Sequence, residues 1–298
     1  RRRWRTATLR LVGADMASRA AALGVVPGVW VVGFDSEELL PASAELGAPA
    51  LLLPDESQRL AEVLSNELPG RDAAQTLALT GASGGLGVSS LAVALATRAA
   101  ETGLRSVAVE LASCGGGLDL LFGAETQEGM TWEELRHAVG EIGDLTPHLV
   151  PAERVSVLAL GRPHGDSPDE AALSAVLRSL ERSHDLVVVD MGDGTRLAEL
   201  GRRVVPLLMV GADVRSVAAA RMRARRIDLT GALLVVRVGK GRGLPPEAVS
   251  DALGLPLAGV VRDDPRVPRL AAQGASVGSR PAARLRRDSA RLLKEVRL

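Results

Sequence analysis

The chain has 298 residues, of which 46% are hydrophobic and 24% are charged, and its 36 Lys+Arg balance its 36 Asp+Glu. This length fits one large or two smaller globular domains. The zero net charge gives no whole-chain argument for binding nucleic acid or an anionic membrane. The single Cys114 excludes an internal disulfide, and no apolar run approaches the roughly 18 residues of a membrane span. We therefore expect a cytoplasmic protein.

Residues 1–70 alternate short apolar runs with helical patterns. The predicted strands are Leu9–Gly13, Val29–Gly33 and Ala50–Leu53, and the predicted helices are Ala17–Leu23, Glu37–Leu46 and Glu56–Leu68. Because a strand pattern begins so early, we expect the chain to start part-way through an α/β domain. Asp15 and Asp35 have no neighbouring acidic pair, and this region has no lysine, which favours a packing or docking domain over a phospho-accepting one. The polar, turn-like residues 68–72 predict a linker.

From Gln75 onward, strand and helix patterns alternate steadily. Continuous apolar runs predict strands buried on both faces, at Thr76–Leu79, Ser106–Leu111, Val155–Leu160, Leu186–Val189, Pro206–Val210, Leu233–Val238 and Leu257–Val261. The predicted helices are Ser89–Thr102, Thr131–Val139, Asp169–Ser183, Val214–Arg226, Pro246–Leu253 and Ala282–Val296. The fold class is therefore α/β, with a mostly parallel sheet flanked by helices over residues 71–298.

A glycine-rich loop between the first of these strands and its helix is the most informative segment. It resembles the phosphate loop G-x-x-x-x-G-K-[ST], in which backbone N–H groups and a helix N-terminus cradle phosphate. Ala82 stands at the first glycine and Val88 at the lysine. The candidate nucleotide contacts are Gly84, Gly85, Leu86, Gly87, Val88, Ser89 and Ser90. The alternative is a glycine-rich turn that only tightens strand–helix packing.

Three segments together resemble the MinD/ParA family of deviant P-loop ATPases. In the loop, the signature lysine of that family corresponds to Ser83. Residues 107–123 resemble its second strand and switch segment, where Glu110 matches the first Asp and Ala112 replaces the Asp that orients the attacking water. Residues 185–194 resemble the strand in which Asp190 would hold Mg²⁺ through water and Gly194 would lie near the γ-phosphate. The resemblance implies ATP or ADP with Mg²⁺, bound at Ser89 and Asp190, and a switch comprising Glu110, Asp190 and Gly194.

The domain order is most similar to the CpaE/TadZ branch, and within it to actinobacterial septum site-determining proteins. Residues 1–70 would then be the later part of an atypical receiver-like domain. The resemblance implies a spatial regulator that associates with division or pilus and secretion proteins, and that is recruited to the septum or pole. It also implies a homodimer that sandwiches nucleotide, although Ser83 removes one lysine of that contact.

The departures from this family predict weak or no ATP hydrolysis. Phosphoryl transfer depends on positioning and on stabilising charge, and this chain lacks both loop lysines and the water-orienting Asp, so we assign no catalytic residue. Three alternatives stay open: an ATPase for Flp pilus assembly or secretion, a pseudo-ATPase scaffold that binds no nucleotide, and a ParA-like DNA-positioning protein.

Two basic segments and the histidines have ordinary structural interpretations. An arginine cluster on one helix could bind DNA, but neutral net charge favours a solvated face and no nucleic-acid partner; its members are Arg215, Arg221, Arg223, Arg225 and Arg226. Residues 280–298 form a basic amphipathic helix, which predicts a helix closing the domain, with peripheral membrane contact as the alternative. We expect His137 and His184 at the surface or at helix ends, and Trp132 at a helix start in the core.

Overall fold

The computed structural model describes residues 9–24, 28–57, 74–112, 115–161, 167–200 and 204–296, with the separate residues 4, 7, 26, 59, 60 and 63. The chain divides into two compact units, residues 1–73 and 74–298. The predicted linker at residues 68–72 and most of the predicted helix Glu56–Leu68 lie outside the described residues.

The smaller unit contains three parallel strands in consecutive order. They are β1 (Arg10–Gly13), β2 (Val29–Gly33) and β3 (Ala50–Leu52). Two helices, α1 (Ala17–Ala21) and α2 (Ser36–Leu46), cover the sheet and share its apolar core. Helix α2 begins after Asp35, whose carboxylate accepts a hydrogen bond from the Glu37 N–H at 2.8 Å. This cap gives Asp35 a structural role.

The larger unit is built on one eight-stranded sheet in the order β11-β10-β9-β4-β8-β5-β7-β6. Its strands are β4 (Gln75–Gly81), β5 (Ser106–Glu110), β6 (Val150–Ala152), β7 (Val155–Leu158), β8 (Leu186–Asp190), β9 (Val204–Gly211), β10 (Leu233–Val238) and β11 (Leu257–Arg262). All neighbours are parallel except β6 and β7. The predicted parallel sheet is confirmed, and β6 is an antiparallel edge strand that the sequence pattern does not predict.

Helices cover both faces of this sheet. They are α3 (Val88–Glu101), α4 (Leu118–Phe122), α5 (Trp132–Leu135), α6 (Glu170–Ser183), α7 (Val214–Arg223), α8 (Pro246–Leu253), α9 (Val267–Ala272) and α10 (Ala283–Glu295). In β8, Val188 packs in the core under α3 while Val187 and Val189 pack in the core under α6. Two covered faces explain why the strands are continuously apolar.

Several predicted elements are shorter than their patterns, and in two of them the backbone groups beyond the observed end bond elsewhere. The predicted helix Thr131–Val139 reduces to α5, since the Arg136 carbonyl accepts from the Asp169 N–H at 3.1 Å. Strand β7 stops before Ala159, whose carbonyl accepts from the Trp132 N–H at 2.9 Å. Trp132 itself is fully buried at the start of α5, as predicted.

Helix α10 closes the larger unit. Its apolar side chains are buried against α3 and β11, and they are Leu285, Leu292 and Leu293, continued by Val296. The prediction of a domain-closing helix is confirmed, and this apolar face is covered by protein. Among the described residues, no helix is long and apolar enough to cross a membrane.

Candidate functional site

The glycine-rich loop and Asp190 meet at one edge of the sheet. Strands β4 and β8 are parallel neighbours, and Leu79 lies opposite Asp190 in their register. Because parallel strands end at the same edge, the loop after β4 and the turn after β8 lie side by side. The central position of both strands makes this edge the crevice where α/β sheets bind ligands.

The loop leaves the N-terminus of α3 open. Gly87 precedes the helix with a φ of +84°, in the left-handed region that favours glycine, and it offers no side-chain cap. The N–H groups of the first helical turn have no partner within the helix. Around Gly84 and Gly85, a side chain would meet nothing within 4 Å. This open, uncapped helix start is a ready-made anion site.

A cavity of about 530 Å³ occupies this edge. It brings together all seven loop residues predicted from the sequence, together with Asp190. Its remaining lining residues are Gly81, Ser83, Ala112, Gly115, Leu121, Gly192, Asp193 and Arg223. Glu110 and Gly194, the other two predicted switch residues, are not part of this lining.

Ser89 and Asp190 form the polar centre of the cavity. The Ser89 hydroxyl hydrogen-bonds the Asp190 carboxylate, which also accepts from the Gly192 N–H at 3.2 Å. Asp190 is 1% exposed, and burial raises the pKa of its carboxyl above the usual value. A hydroxyl and a carboxylate are hard oxygen donors of the kind Mg²⁺ prefers, so this pair fits the ion together with phosphate oxygens. No group of three or more His, Cys, Asp or Glu within the described ranges forms a separate metal site.

Val88 and Leu86 line the cavity, and their side chains also pack against the apolar core. A Cβ on Gly81 would lie 2.9 Å from Val88 Cγ2, which shows how closely Val88 fits against this glycine. Leu86 is 3% exposed and belongs to the core under α3. Ser83, by contrast, is exposed at the loop surface. The loop therefore combines a polar backbone edge with an apolar underside.

Glu110 ties the switch segment to the rest of the sheet. Its carboxylate accepts from the N–H groups of Leu118 at 3.1 Å and Leu160 at 3.2 Å, and its carbonyl accepts from the Trp132 ring N–H at 2.8 Å. Burial raises the pKa of the Glu110 carboxyl, despite these two donors. Three separate segments thus depend on this residue, which lines a neighbouring cavity of about 340 Å³.

The turn after β8 fits only glycine at two places. A Cβ on Gly194 would lie 2.7 Å from Thr80 Oγ1, and a Cβ on Gly192 would lie 2.9 Å from Ala112. Both residues also have positive φ, of +74° and +56°. The turn therefore packs closely against both β4 and the switch segment. Gly192 and Asp193 line the cavity, and Gly194 does not.

Two arginines near the loop have no signal in the sequence. Arg223, at the end of α7, lines the cavity and donates through Nη1 to the Asp193 carbonyl. Arg237, in β10, has its Nη1 3.5 Å from the Cβ position of Gly87 and donates through Nε to Asp263 at 2.9 Å. The cluster predicted as one solvated face is thus divided, because Arg223 turns toward the loop while Arg225 and Arg226 are exposed.

A second cavity of about 840 Å³ lies on the other side of the loop. It shares Gly85, Gly87 and Ser90 with the first cavity and is otherwise lined by the ends of β10 and β11 and by residues of α9 and α10. Arg237 and Asp263, which are ion-paired, contribute its charged wall. The loop therefore has space on both sides, with its N–H groups between.

Sequence comparison finds relatives in mycobacteria. No protein-family model matches the chain. An uncharacterized protein of Mycobacterium tuberculosis, present in two strains, is 34% identical over 199 residues, which is 64% of this chain and 55% of that protein. The chain thus spans about half the length of the curated relatives it matches.

Solved structures give the fold. A ParA family ATPase from Chlorobium tepidum has a TM-score of 0.64 at 13% identity, covering 76% of this chain and 100% of that one. MinD in the MinC:MinD cell division complex of Aquifex aeolicus is similar with a TM-score of 0.61 at 18% identity, covering 75% and 95%. The septum site-determining protein MinD with Mg-ADP from Pyrococcus horikoshii has a TM-score of 0.58 at 18% identity, covering 75% and 96%. Over about three quarters of its length, this chain has the fold of the MinD/ParA P-loop ATPases.

Proposed function

We propose that this protein is a spatial regulator of cell division of the septum site-determining, CpaE-like type. It acts through nucleotide-dependent association with protein partners and hydrolyses ATP weakly or not at all. The observation that carries this proposal is the loop cavity, in which an uncapped helix N-terminus, Ser89 and Asp190 converge although Val88 replaces the lysine. This combination supports binding of a nucleotide without the charges that speed its hydrolysis.

The binding half of the proposal rests on groups that remain in place. The N–H groups of the loop and of the first turn of α3 bind phosphate oxygens, and the adjoining cavity of about 840 Å³ has room for a nucleoside. Ser89 and Asp190 would hold Mg²⁺, which would neutralise phosphate charge. Binding of ATP or ADP with Mg²⁺ follows from these contacts.

Weak turnover follows from the charges that are missing. A charge-assisted hydrogen bond contributes about 1.5–3 kcal/mol, and each 1.36 kcal/mol removed from the transition state slows a reaction about tenfold. Val88 and Ser83 remove two such groups, and Ala112 lines the cavity without a carboxylate to orient water. Hydrolysis is therefore slow while binding persists.

Protein association connects the bound state to partners. The wall of the cavity includes Ala112, Gly115 and the turn at Gly192 and Asp193, so nucleotide contacts segments that also reach the surface. A second copy of the chain, or a partner in the division or pilus and secretion machinery, would bind at these segments. Its affinity would depend on the bound nucleotide, and the association would take place at the septum or pole. The MinC:MinD complex is a precedent for such a partner in a protein of the same fold.

The domain assignment is part of the proposal. Residues 71–298 form the nucleotide-binding domain, and residues 1–70 form an atypical receiver-like domain that docks rather than accepts phosphate. The consecutive parallel order β1-β2-β3 supports this assignment, because the last three strands of a flavodoxin-like sheet share it.

The test is a titration of the whole chain with Mg-ATP and Mg-ADP, followed by thermal unfolding and calorimetry. We expect the midpoint of unfolding to rise with nucleotide concentration, phosphate release to stay near the blank, and Asp190→Ala to lose the Mg²⁺-dependent part of binding. Absence of any stabilisation at millimolar nucleotide would favour a nucleotide-free scaffold. Phosphate release that Asp190→Ala abolishes would favour an ATPase, and a tagged chain that collects only at poles would favour pilus assembly.

A further inference from the structure

We propose that Arg223 supplies the phosphate-binding charge that the loop lacks, and that it does so from helix α7 on the far side of the cavity. The proposal rests on the proposed function, since it concerns the same nucleotide site. It names the residue that makes the site selective for a triphosphate over a diphosphate. In most phosphate loops this charge comes from the loop lysine, and here it comes from a helix more than 130 residues further along the chain.

The position of Arg223 is unusual among the basic residues of the chain. Of the residues that line the loop cavity in the described structure, Arg223 is the one Lys or Arg. Its Nη1 donates to the carbonyl of Asp193, on the turn that follows Asp190. The guanidinium is therefore anchored on the same turn that holds the proposed Mg²⁺ contact.

The remaining donors of this guanidinium have capacity for a ligand. A guanidinium has five N–H donors in a rigid, planar fork that matches phosphate oxygens. Arg223 Nε is shielded from solvent and has no hydrogen-bond partner in the described part of the chain. Arg223 Nη2 also makes no hydrogen bond in the described part of the chain, and it is not shielded as Nε is, so Nη2 is the donor that an anionic oxygen in the cavity can reach.

The charge balance of the cavity points the same way. Asp190 and Asp193 are the acidic residues that line the cavity, while the loop contributes backbone N–H groups and the serines at 83, 89 and 90, with no charged side chain. A triphosphate adds further negative charge, so a cation is needed beyond Mg²⁺. The other cations near the loop line the second cavity instead, and they are Arg237, Lys240, Arg262 and Arg284. Arg237 is also ion-paired with Asp263 at 2.9 Å, so Arg223 is the cation on the side of Asp190.

This arrangement gives α7 a part in sensing the nucleotide. The guanidinium joins α7 to the turn Asp190–Gly194 through one hydrogen bond, and a phosphate adds a second link between α7 and the loop. In this proposal the hydrogen bond to Asp193 is present in both states, and the contact between Arg223 and phosphate is made with the terminal phosphate of a triphosphate. Helix α7 is consequently held more firmly in the triphosphate state than in the diphosphate state.

Calorimetric titration of the full chain with Mg-ATP and Mg-ADP tests the proposal, using Arg223→Ala, Arg223→Lys and Arg225→Ala. Arg225 is exposed and follows α7, outside both cavities, so its variant is the matched control for loss of one positive charge. We expect Arg223→Ala to weaken ATP binding roughly 10- to 100-fold, the size of one charge-assisted contact. ADP binding weakens less, Arg223→Lys recovers part of the loss, and Arg225→Ala binds as the unaltered chain does.

Three outcomes overturn the proposal. If Arg223→Ala binds ATP as tightly as Arg225→Ala, the charge comes from elsewhere while the proposed function stands. If the unaltered chain binds no nucleotide, both proposals fall. Should Arg223→Ala unfold, Arg223→Gln keeps a donor for the Asp193 carbonyl and removes the charge, and unchanged ATP affinity in that variant is equally decisive.

Discussion

Two effects act in opposite directions on the ionisation of the Asp190 carboxyl. Ionisation suits Mg²⁺, yet the side chain is almost fully buried, and that burial raises its pKa. A carboxyl whose pKa is raised on folding favours the protonated form. Stability is therefore lost as pH rises from the ordinary value of 3.8 through the raised one. Without a cation, the ionised residue lowers the stability of the fold.

Replacement of Asp190 by Asn separates stability from binding. The amide keeps an acceptor for the Gly192 N–H and Ser89 hydroxyl but has no charge to desolvate. We expect Asp190→Asn to unfold at a higher temperature than the parent near neutral pH in the absence of Mg²⁺ and nucleotide. The difference in unfolding temperature between the variant and the parent becomes smaller as pH falls toward 3.8. The variant's affinity for nucleotide in the presence of Mg²⁺ drops by roughly tenfold or more. Calorimetric scans across pH measure the first effect, and a variant that is less stable at neutral pH contradicts it.

For His184 we expect the opposite dependence of stability on pH from that of Asp190. This residue ends α6 as predicted, but it is 3% exposed rather than on the surface, and burial lowers its pKa. Its neutral form is therefore stabilising, and that stability is lost as pH falls from 6.5 through the lowered pKa. We expect His184→Asn, whose amide can replace Nδ1 toward the Leu180 carbonyl, to lose less stability between pH 7 and roughly pH 5. His148→Asn, which replaces an exposed histidine, is the control variant.

At the scale of elements, α10 makes a prediction about packing. Leu292 is 1% exposed, and its Cδ2 lies 2.7 Å from the Cβ position of Gly259 on β11. Truncation leaves a cavity between helix and sheet, so Leu292→Ala should lower the free energy of unfolding by about 2–5 kcal/mol. Arg291→Ala, at an exposed neighbour, should change it by less than about 0.5 kcal/mol. Denaturant titration distinguishes the two, and equal midpoints would mean that α10 does not close the core.

Elements could be predicted where one local pattern decides them. Strands covered on both faces are continuously apolar, and β10 has the predicted bounds for that reason. Helix α8 also has its predicted bounds, because Pro246 begins it and Gly254, with a φ of +66°, ends it. The edge strand β6 could not be predicted, because three residues with a central proline give no periodic signal. The early end of α5 likewise depends on a residue more than 30 positions away in sequence. The Asp169 N–H donates a hydrogen bond to the Arg136 carbonyl, which is then not available to continue the helix.

At the scale of the whole molecule, charge predicts the absence of DNA binding. The chain has a formal net charge of zero, and several of its arginines are tied to partners, as Arg223 is to Asp193 and Arg221 is to Ala252. Counterion release needs several phosphate contacts made together. We expect no duplex binding at physiological salt in a gel-shift or anisotropy assay. Salt-sensitive binding that Arg225→Ala and Arg226→Ala weaken would revive the DNA-positioning alternative.

The candidate site divides in the same way between local and long-range information. Ser89 and Asp190 could be found because each lies directly at a strand or helix boundary in a recognisable segment, and parallel strands bring those boundaries together. Arg223 and Arg237 reach the loop only through the packing of α7 and the position of β10 in the sheet. The spacing of Arg223 and Arg237 in the sequence does not indicate that they lie near the loop.

The close fit of Val88 against Gly81 affects what a substitution at position 88 would do to the loop. A valine at this position is a structural component, because it fills the angle between β4 and α3. A lysine introduced there would have to leave that niche to reach phosphate and would expose the apolar underside of the loop. Conversion of this loop to the conventional phosphate-loop sequence would therefore require changes at both Ala82 and Val88, and the second change would also empty this niche.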